Sequence, residues 1–131
     1  MTEGPQQFTV SHLRPDSFKA DGLRPYAEYR DLGVSAATHG GVQAHVIRHA
    51  PGFKPEQRQS ARHFHDVQFQ MVYVLKGWIK TEFEGHGVQE FRAGSSWVQP
   101  SGIKHKVLET SEDMELLEII MPAEFRTVDV E

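Results

Sequence analysis

The sequence predicts a single all-β domain, either a sandwich or a barrel. The chain has 131 residues, the length of one ordinary domain, and 38% of them are hydrophobic, which is enough for a core. Beyond residue 40 it divides into short runs rich in β-branched and aromatic residues, separated by glycine or proline. No stretch shows the 3.6-residue hydrophobic period of an amphipathic helix. These three observations favour strands over helices throughout.

The first 40 residues are less regular than the rest. We expect at most a turn of helix near residues 15–23, where Asp16 could act as the N-cap. The run at 26–32 predicts an additional edge strand, and the glycines at 40 and 41 predict a hairpin turn into the next strand. The expected organisation is an N-terminal extension at 1–40 that packs on a barrel at 41–121, followed by a C-terminal tail at 122–131.

Seven further strands are predicted inside the barrel, each bounded by turn residues that fix φ or allow it to be positive. The last strand is apolar on both of its alternating faces, unlike a strand with one face in water. A second layer must therefore cover it, either the N-terminal segment or another subunit, and we expect a homodimer. The predicted strands are residues 42–48, 70–75, 78–83, 88–91, 97–99, 104–109 and 114–121.

Composition and charge exclude several classes of function. The chain has 14 basic and 18 acidic residues, a net charge of −4 and no run of Lys or Arg, so a nucleic-acid partner is not expected. The beginning lacks a basic leader, and no window approaches the ~20 apolar residues of a membrane span. We therefore expect a cytoplasmic protein with no membrane partner. There is no cysteine, so any metal must be held by nitrogen and oxygen.

Histidine is the one compositional excess, with eight in the chain. His63 and His65 lie two residues apart on a predicted strand, so their imidazoles share a face about 7 Å apart along the chain, close enough to bind one metal. Alone, this pair is a weak signal because short motifs arise by chance. Gln70 follows five residues later, and Gly77 ends the next strand seven residues after that.

A second group of residues repeats the order of glycine, proline turn and histidine. Gly94 is followed by Pro100, Gly102 and His105, and Glu109 comes four residues later. The two groups, in this order and about 15 residues apart, resemble the two motifs of the cupin superfamily, in particular its small single-domain, RmlC-like members. Gly52 stands at the start of the first motif, but the gap between it and His63 is longer than usual. In the second motif, Glu109 occupies the place of an asparagine.

The resemblance covers about residues 41–121 and implies a double-stranded β-helix, or jelly-roll barrel, with a divalent metal at its mouth. Carried over by position, the metal ligands are His63, His65, Gln70 and His105. Gln70 replaces the usual glutamate, so the protein would leave the metal's charge uncompensated and favour an anionic ligand in the open positions. Imidazole ligands suit Fe, Zn, Ni or Cu, and Mn would bind more weakly.

Alternative interpretations of these residues stay open at this point. The histidines could form a structural polar cluster, and Gln70 could hydrogen-bond a neighbour while water completes a three-histidine site. His45 could face the cavity as an acid or base, or be a surface histidine. Glu118 could be an inward carboxylate with a raised pKa that serves as a general base, or could face solvent. Tyr26 is a third weak catalytic candidate.

Other histidines carry no prediction of function. His12, His39, His49 and His86 fall in loop-like contexts and are expected to be solvated.

Two functions from different classes fit the sequence. The first is a metal-dependent enzyme, of dioxygenase or isomerase type, that acts on a small organic molecule. The second is a non-catalytic cupin that binds a metal or a small molecule as a sensor or carrier. A fixed ionisable group inside the cavity would favour the enzyme.

Overall fold

The computed structural model describes residues 4–20 and 24–130. These ranges contain ten strands, a four-residue helix α1 at Val34–Ala37 and a 3₁₀ turn at Pro55–Gln57. The strands are β1 Ala27–Asp31, β2 Gln43–His49, β3 His63–Asp66, β4 Phe69–Lys76, β5 Trp78–Phe83, β6 Gly87–Arg92, β7 Ser96–Val98, β8 His105–Thr110, β9 Glu115–Met121 and β10 Arg126–Asp129.

The strands form two antiparallel five-stranded sheets, in the orders β1-β2-β9-β4-β7 and β10-β3-β8-β5-β6. Most neighbours in each sheet are distant in sequence, as in a jelly roll, where the chain alternates between two facing layers. The predicted all-β jelly-roll fold is confirmed. Each of the seven strands predicted at 41–121 is present with its ends shifted by at most one residue, and the edge strand predicted at 26–32 is β1.

Three local expectations differ from the structure. The helical turn expected near 15–23 is absent from the described part of that segment, because Lys19 pairs with Tyr29 in a β-bridge through two backbone hydrogen bonds of 2.8 Å. Residues 21–23 lie outside the described ranges. Helix α1 and strand β10 were not predicted. Strand β10 pairs with β3, so both the predicted extension and the predicted tail contribute a strand to the sheets.

Alternation along β4 places successive side chains on opposite faces of its sheet. Gln70, Val72 and Val74 point inward and are buried, whereas Tyr73 and Leu75 are exposed, as the period of two requires. Val72 and Val74 pack in a core cluster with Ile79, Met114 and Leu116. The cluster forms the apolar part of the interior, and Gln70 lies on the same face of β4 at the start of the strand.

A β-bulge in β8 keeps Thr110, at the end of the strand, on the inner face of the sheet. Lys80 of β5 pairs with Glu109, but the next residue, Thr81, pairs with Val107, so β8 contains one extra residue at Leu108. Without the bulge, the period of two that places His105 and Val107 inward would turn Thr110 outward. Thr110 is instead buried, and the inner face of β8 continues to the end of the strand.

In the ranges described here, no helix is long and apolar enough to cross a membrane.

The turn between β4 and β5 generates the first testable prediction. Gly77 has φ +66°, and a Cβ there would overlap the Ser111 Oγ that accepts the Trp78 N–H, and would lie 3.2 Å from the Met114 Cα. We expect Gly77→Ala to lower the free energy of unfolding by more than about 2 kcal/mol, because strain and the loss of this contact add. Urea unfolding followed by circular dichroism measures the change.

Gly85, in the turn between β5 and β6, is the matched control. It has φ +79°, but a Cβ there would meet no atom within 4 Å, so Gly85→Ala should cost only about 1 kcal/mol of left-handed strain. Equal costs for the two substitutions would show that the Gly77 contacts do not contribute.

Candidate metal centre

Three histidines from two neighbouring strands meet inside the barrel. β3 supplies His63 and His65, and β8 supplies His105, whose backbone pairs directly with that of His63. The ring centroids lie 4.1 Å apart for His63 and His105, 4.8 Å for His63 and His65, and 5.0 Å for His65 and His105. One ring nitrogen from each histidine lies within 4.8 Å of the other two, close enough to share one metal ion.

Hydrogen bonds on the outer side of the cluster fix which nitrogens face its centre. His63 Nδ1 lies 2.7 Å from the carbonyl oxygen of Ala61, and His105 Nδ1 lies 3.0 Å from that of Ile103. A carbonyl oxygen can only accept, so both Nδ1 atoms carry the proton and both Nε2 atoms keep a lone pair. His65 Nδ1 bonds the hydroxyl of Thr127 on β10 at 2.8 Å. Metal-binding histidines are oriented in this way by partners on their second nitrogen.

Burial keeps the three imidazoles in the form that binds metals. It lowers the pKa of His65 and His105 to about 4 and also lowers the pKa of His63. A charge on His63 would lower the pKa of the other two further. At neutral pH all three rings are therefore uncharged, and this donor set fits a divalent transition metal.

Gln70 is buried beside the histidines, and both the nitrogen and the oxygen of its amide make a hydrogen bond. Its Nε2 donates to Glu118 Oε2 at 2.9 Å, and its Oε1 accepts from Gln99 Nε2 at 3.2 Å. Gln99 Nε2 also lies 3.2 Å from His105 Nε2, and Gln99 Oε1 accepts from the indole N–H of Trp97. Metal ligation by Gln70 stays a prediction.

Glu118 faces the interior from β9 and supplies a negative charge next to the cluster. Burial raises the pKa of this carboxyl, but the hydrogen bond and charge of His45 and the hydrogen bond from Gln70 outweigh it, so the net pKa is lowered. The expectation of a raised pKa is wrong for this reason. Glu118 acts electrostatically on all three histidines and raises the pKa of each, so a carboxylate outside the predicted ligand set lies near the cluster.

His45 and Glu118 form a pair at the cavity wall. His45 Nε2 lies 2.7 Å from Glu118 Oε1, so this nitrogen carries the proton and Nδ1 keeps the lone pair in the neutral ring. The side chains are 15% and 17% exposed, and both line the cavity that contains the histidine cluster. Tyr29, which the sequence analysis did not select, lies with its ring centroid 5.3 Å from that of His45.

The cavity has a volume of about 680 Å³ and runs beyond the cluster to the opposite end of the barrel. Tyr26 lines that far end, with its ring centroid 6.2 Å from that of His49, and burial raises its pKa. The expectation that His49 is solvated is wrong, because β2 extends one residue further than predicted and turns this side chain into the cavity. Arg58 and Gln99 also line the cavity and were not predicted.

Comparisons with known proteins agree with this architecture. No curated protein matches the sequence significantly. The polyketide cyclase RemF from Streptomyces resistomycificus superposes with a TM-score of 0.71 at 18% identity, over 94% of this chain and 87% of that one. KdgF from Halomonas sp. gives 0.57 at 17% identity, over 82% and 88%. A cupin-superfamily sugar phosphate isomerase from Silicibacter pomeroyi gives 0.63 at 16% identity, over 96% and 78%.

At these identities the structural similarities show the fold alone. The family is shown separately by sequence, since the family model of the cupin domain matches residues 52–120, more than half of the chain. This match spans β3 to β9 and includes His63, His65 and His105. The chain therefore belongs to the cupin family.

Proposed function

We propose that this protein is a metal-dependent enzyme that acts on a small organic molecule. One observation carries the proposal: a cluster of three neutral histidines and the His45–Glu118 pair face the same cavity. The cluster can hold a divalent ion, and the pair can move a proton. The cavity is large enough for a drug-sized organic molecule, for which sites of about 300–1,000 Å³ are typical.

His63, His65 and His105 are the proposed ligands, with Fe, Zn, Ni or Cu favoured over Mn by an imidazole set. When bound, such an ion supplies Lewis acidity that polarises a carbonyl or stabilises an enolate. Glu118 would lower the electrostatic cost of placing that positive charge in a buried site. Through the hydrogen bond from Gln70 Nε2, it would also hold the Gln70 amide beside the cluster.

His45 is the proposed acid and base. Its Nε2–H is held by Glu118, and within the described residues its Nδ1 makes no hydrogen bond, so this nitrogen is available to a substrate in the cavity. A histidine held on one nitrogen by a carboxylate and free on the other is a common arrangement for proton transfer. Glu118 is a positioning residue in this scheme, because both of its oxygens accept hydrogen bonds.

The pair favours isomerase-type chemistry, in which a proton moves between neighbouring carbons. The fold is compatible with an isomerase and with a dioxygenase. Similar structures include the sugar phosphate isomerase and, at 14% identity, a salicylate 1,2-dioxygenase in complex with gentisate. The alternative is a non-catalytic binding protein, in which the same cavity holds a metal or metabolite without turnover.

A homodimer is part of the proposal. The outer face of β4 and β7 exposes Tyr73, Leu75 and Val98, and β7 is the edge strand of its sheet. Antiparallel pairing of this edge with its copy would be two-fold symmetric and would cover the apolar side chains. Sedimentation velocity should give twice the chain mass for the wild type and the chain mass for Val98→Lys. A wild type that stays monomeric at micromolar concentration contradicts the dimer.

The ligand assignment predicts metal stoichiometry. His63→Ala and His105→Ala should each lower the zinc bound per chain from one equivalent to a small fraction, because two imidazoles bind far more weakly than three. Calorimetric titration and elemental analysis measure the loss. The exposed His86→Ala is the matched control and should bind one equivalent. Gln70→Ala should also bind one equivalent if its amide only hydrogen-bonds. Full binding by both triad variants would refute the site.

The enzyme proposal predicts metal-dependent proton exchange. Metal-loaded wild type, incubated in D₂O with α-hydroxyketones and aryl ketones, should exchange the α-proton of at least one compound, as followed by proton NMR. His45→Gln should lower the exchange rate by about 100-fold or more, the usual contribution of a general base. His86→Gln should leave it unchanged. If no compound exchanges and none drives O₂ uptake, the protein is a binding module instead.

A further inference from the structure

We propose that the end of the cavity opposite the histidine cluster binds the carboxylate of the substrate, with Arg58 as its anchor. The substrate is then an elongated, largely apolar organic acid whose other end carries a metal-binding oxygen. The metal end of this inference rests on the proposed function, whereas the carboxylate end rests on separate residues.

Arg58 is a buried cation that has no counter-ion among the described residues. It follows the 3₁₀ turn, lines the cavity and is only 3% exposed. Across residues 4–20 and 24–130 its guanidinium forms no ion pair or hydrogen bond, and its buried Nε has no partner. Burying an unpaired charge is costly, so such a group is stable in a protein only when something else binds it or when function requires it.

Other unpartnered polar atoms line the same cavity. Arg24 Nη2 and Thr81 Oγ1 are buried and lack hydrogen-bond partners in the described part of the chain. His49 is uncharged, because burial and the charge on Arg58 outweigh a hydrogen bond to the Tyr26 backbone and lower its pKa to about 4. The Thr110 hydroxyl lies 2.5 Å from His49 Nε2.

The fold separates His49, whose pKa the charge of Arg58 lowers, from the histidine cluster. Thr110 contacts His49 at one end of β8, and His105 belongs to the cluster at the other end, five residues away along the strand. Five residues of strand span roughly 17 Å. The β8 bulge at Leu108 keeps both ends of the strand facing inward. A substrate that contacts both ends must therefore be elongated.

The stretch of cavity between the two ends is apolar. Its walls come from strands of both sheets and from the loop before β9, and they include Ile47, Val72, Ile79, Val107, Met114 and Leu116. Such a lining favours an aliphatic or aromatic body and discourages a sugar-like one, whose hydroxyls would lose their hydrogen bonds to water.

The guanidinium of Arg58 matches a carboxylate in shape. Its planar fork of donors pairs with the two oxygens of a carboxylate. A carboxylate also brings only one negative charge into the apolar surroundings, whereas a phosphate dianion brings two.

The test uses the metal-free protein, which separates this subsite from the metal site. Calorimetric titration compares 2-naphthoate with 2-naphthamide, two probes of nearly equal shape that differ in charge. Wild type should bind the carboxylate at least about tenfold more tightly than the amide. Arg58→Met should abolish this preference, and Arg58→Lys should retain part of it. Arg92→Met, at an exposed arginine on β6, is the control and should keep the preference.

A second readout tests whether Arg58 is instead a structural residue. Because the substitution removes a buried unpaired charge, Arg58→Met should raise the melting temperature of the metal-free protein. A lowered melting temperature together with an unchanged carboxylate preference would overturn the proposal, as would equal affinity of wild type for the two probes.

The two proposals can fail separately. His63→Ala should bind 2-naphthoate as the wild type does, since the carboxylate end does not need the metal. If zinc does not bind but the carboxylate preference depends on Arg58, the enzyme proposal fails and the subsite stands. If zinc binds at the cluster but no carboxylate preference exists, only the subsite fails.

Discussion

The packing of three imidazoles against one another is the constraint on which the rest of the structure depends. Their ring centroids are 4.1–5.0 Å apart, so no two of the rings can be protonated together without strong repulsion. They are stable as neutral groups only if each outer nitrogen finds a partner. The carbonyls of Ala61 and Ile103 supply two partners, and β10 supplies the third through Thr127.

Charge inside the barrel is distributed in a way that follows from this constraint. The negative charge that a motif-one glutamate would bring is placed one strand away, on Glu118, and Gln70 connects it to the cluster. In the proposed function the carboxylate would stabilise a metal without ligating it, and its hydrogen bond fixes the orientation of His45. At the far end Arg58 provides a positive charge. The interior thus has two polar ends joined by an apolar middle, which matches the proposed shape of a substrate.

Local pattern was sufficient to predict most of the strands and the members of the cluster. Strand boundaries at 41–121 follow from alternation and turn residues, and His63, His65 and His105 follow from motif spacing. The features that the sequence analysis did not predict depend on contacts between residues distant in sequence. Strand β10 is a strand because β3 offers it a free edge, and Thr110 faces inward because of a bulge set by the partner strand. Neither is visible in the local sequence.

Gln99 and Arg58, which line the cavity but were not predicted, were missed for a different reason. Gln99 lies between Gly94 and Pro100, where the second motif does not specify a residue type, so the motif gave no reason to select it. In the sequence, Arg58 follows a proline turn and resembles an ordinary surface arginine. Their roles come from burial. For Glu118 the sequence left an inward and a solvent-facing carboxylate open, and the direction of its pKa depends on His45, 73 residues away.

The most direct test of the central claim is a crystal structure of the zinc-loaded protein with anomalous scattering measured on both sides of the zinc edge. The account predicts one strong anomalous peak per chain, bonded to Nε2 of His63, His65 and His105, with each Nδ1 still bonded to its partner. A peak elsewhere, or ligation through Nδ1, would contradict it.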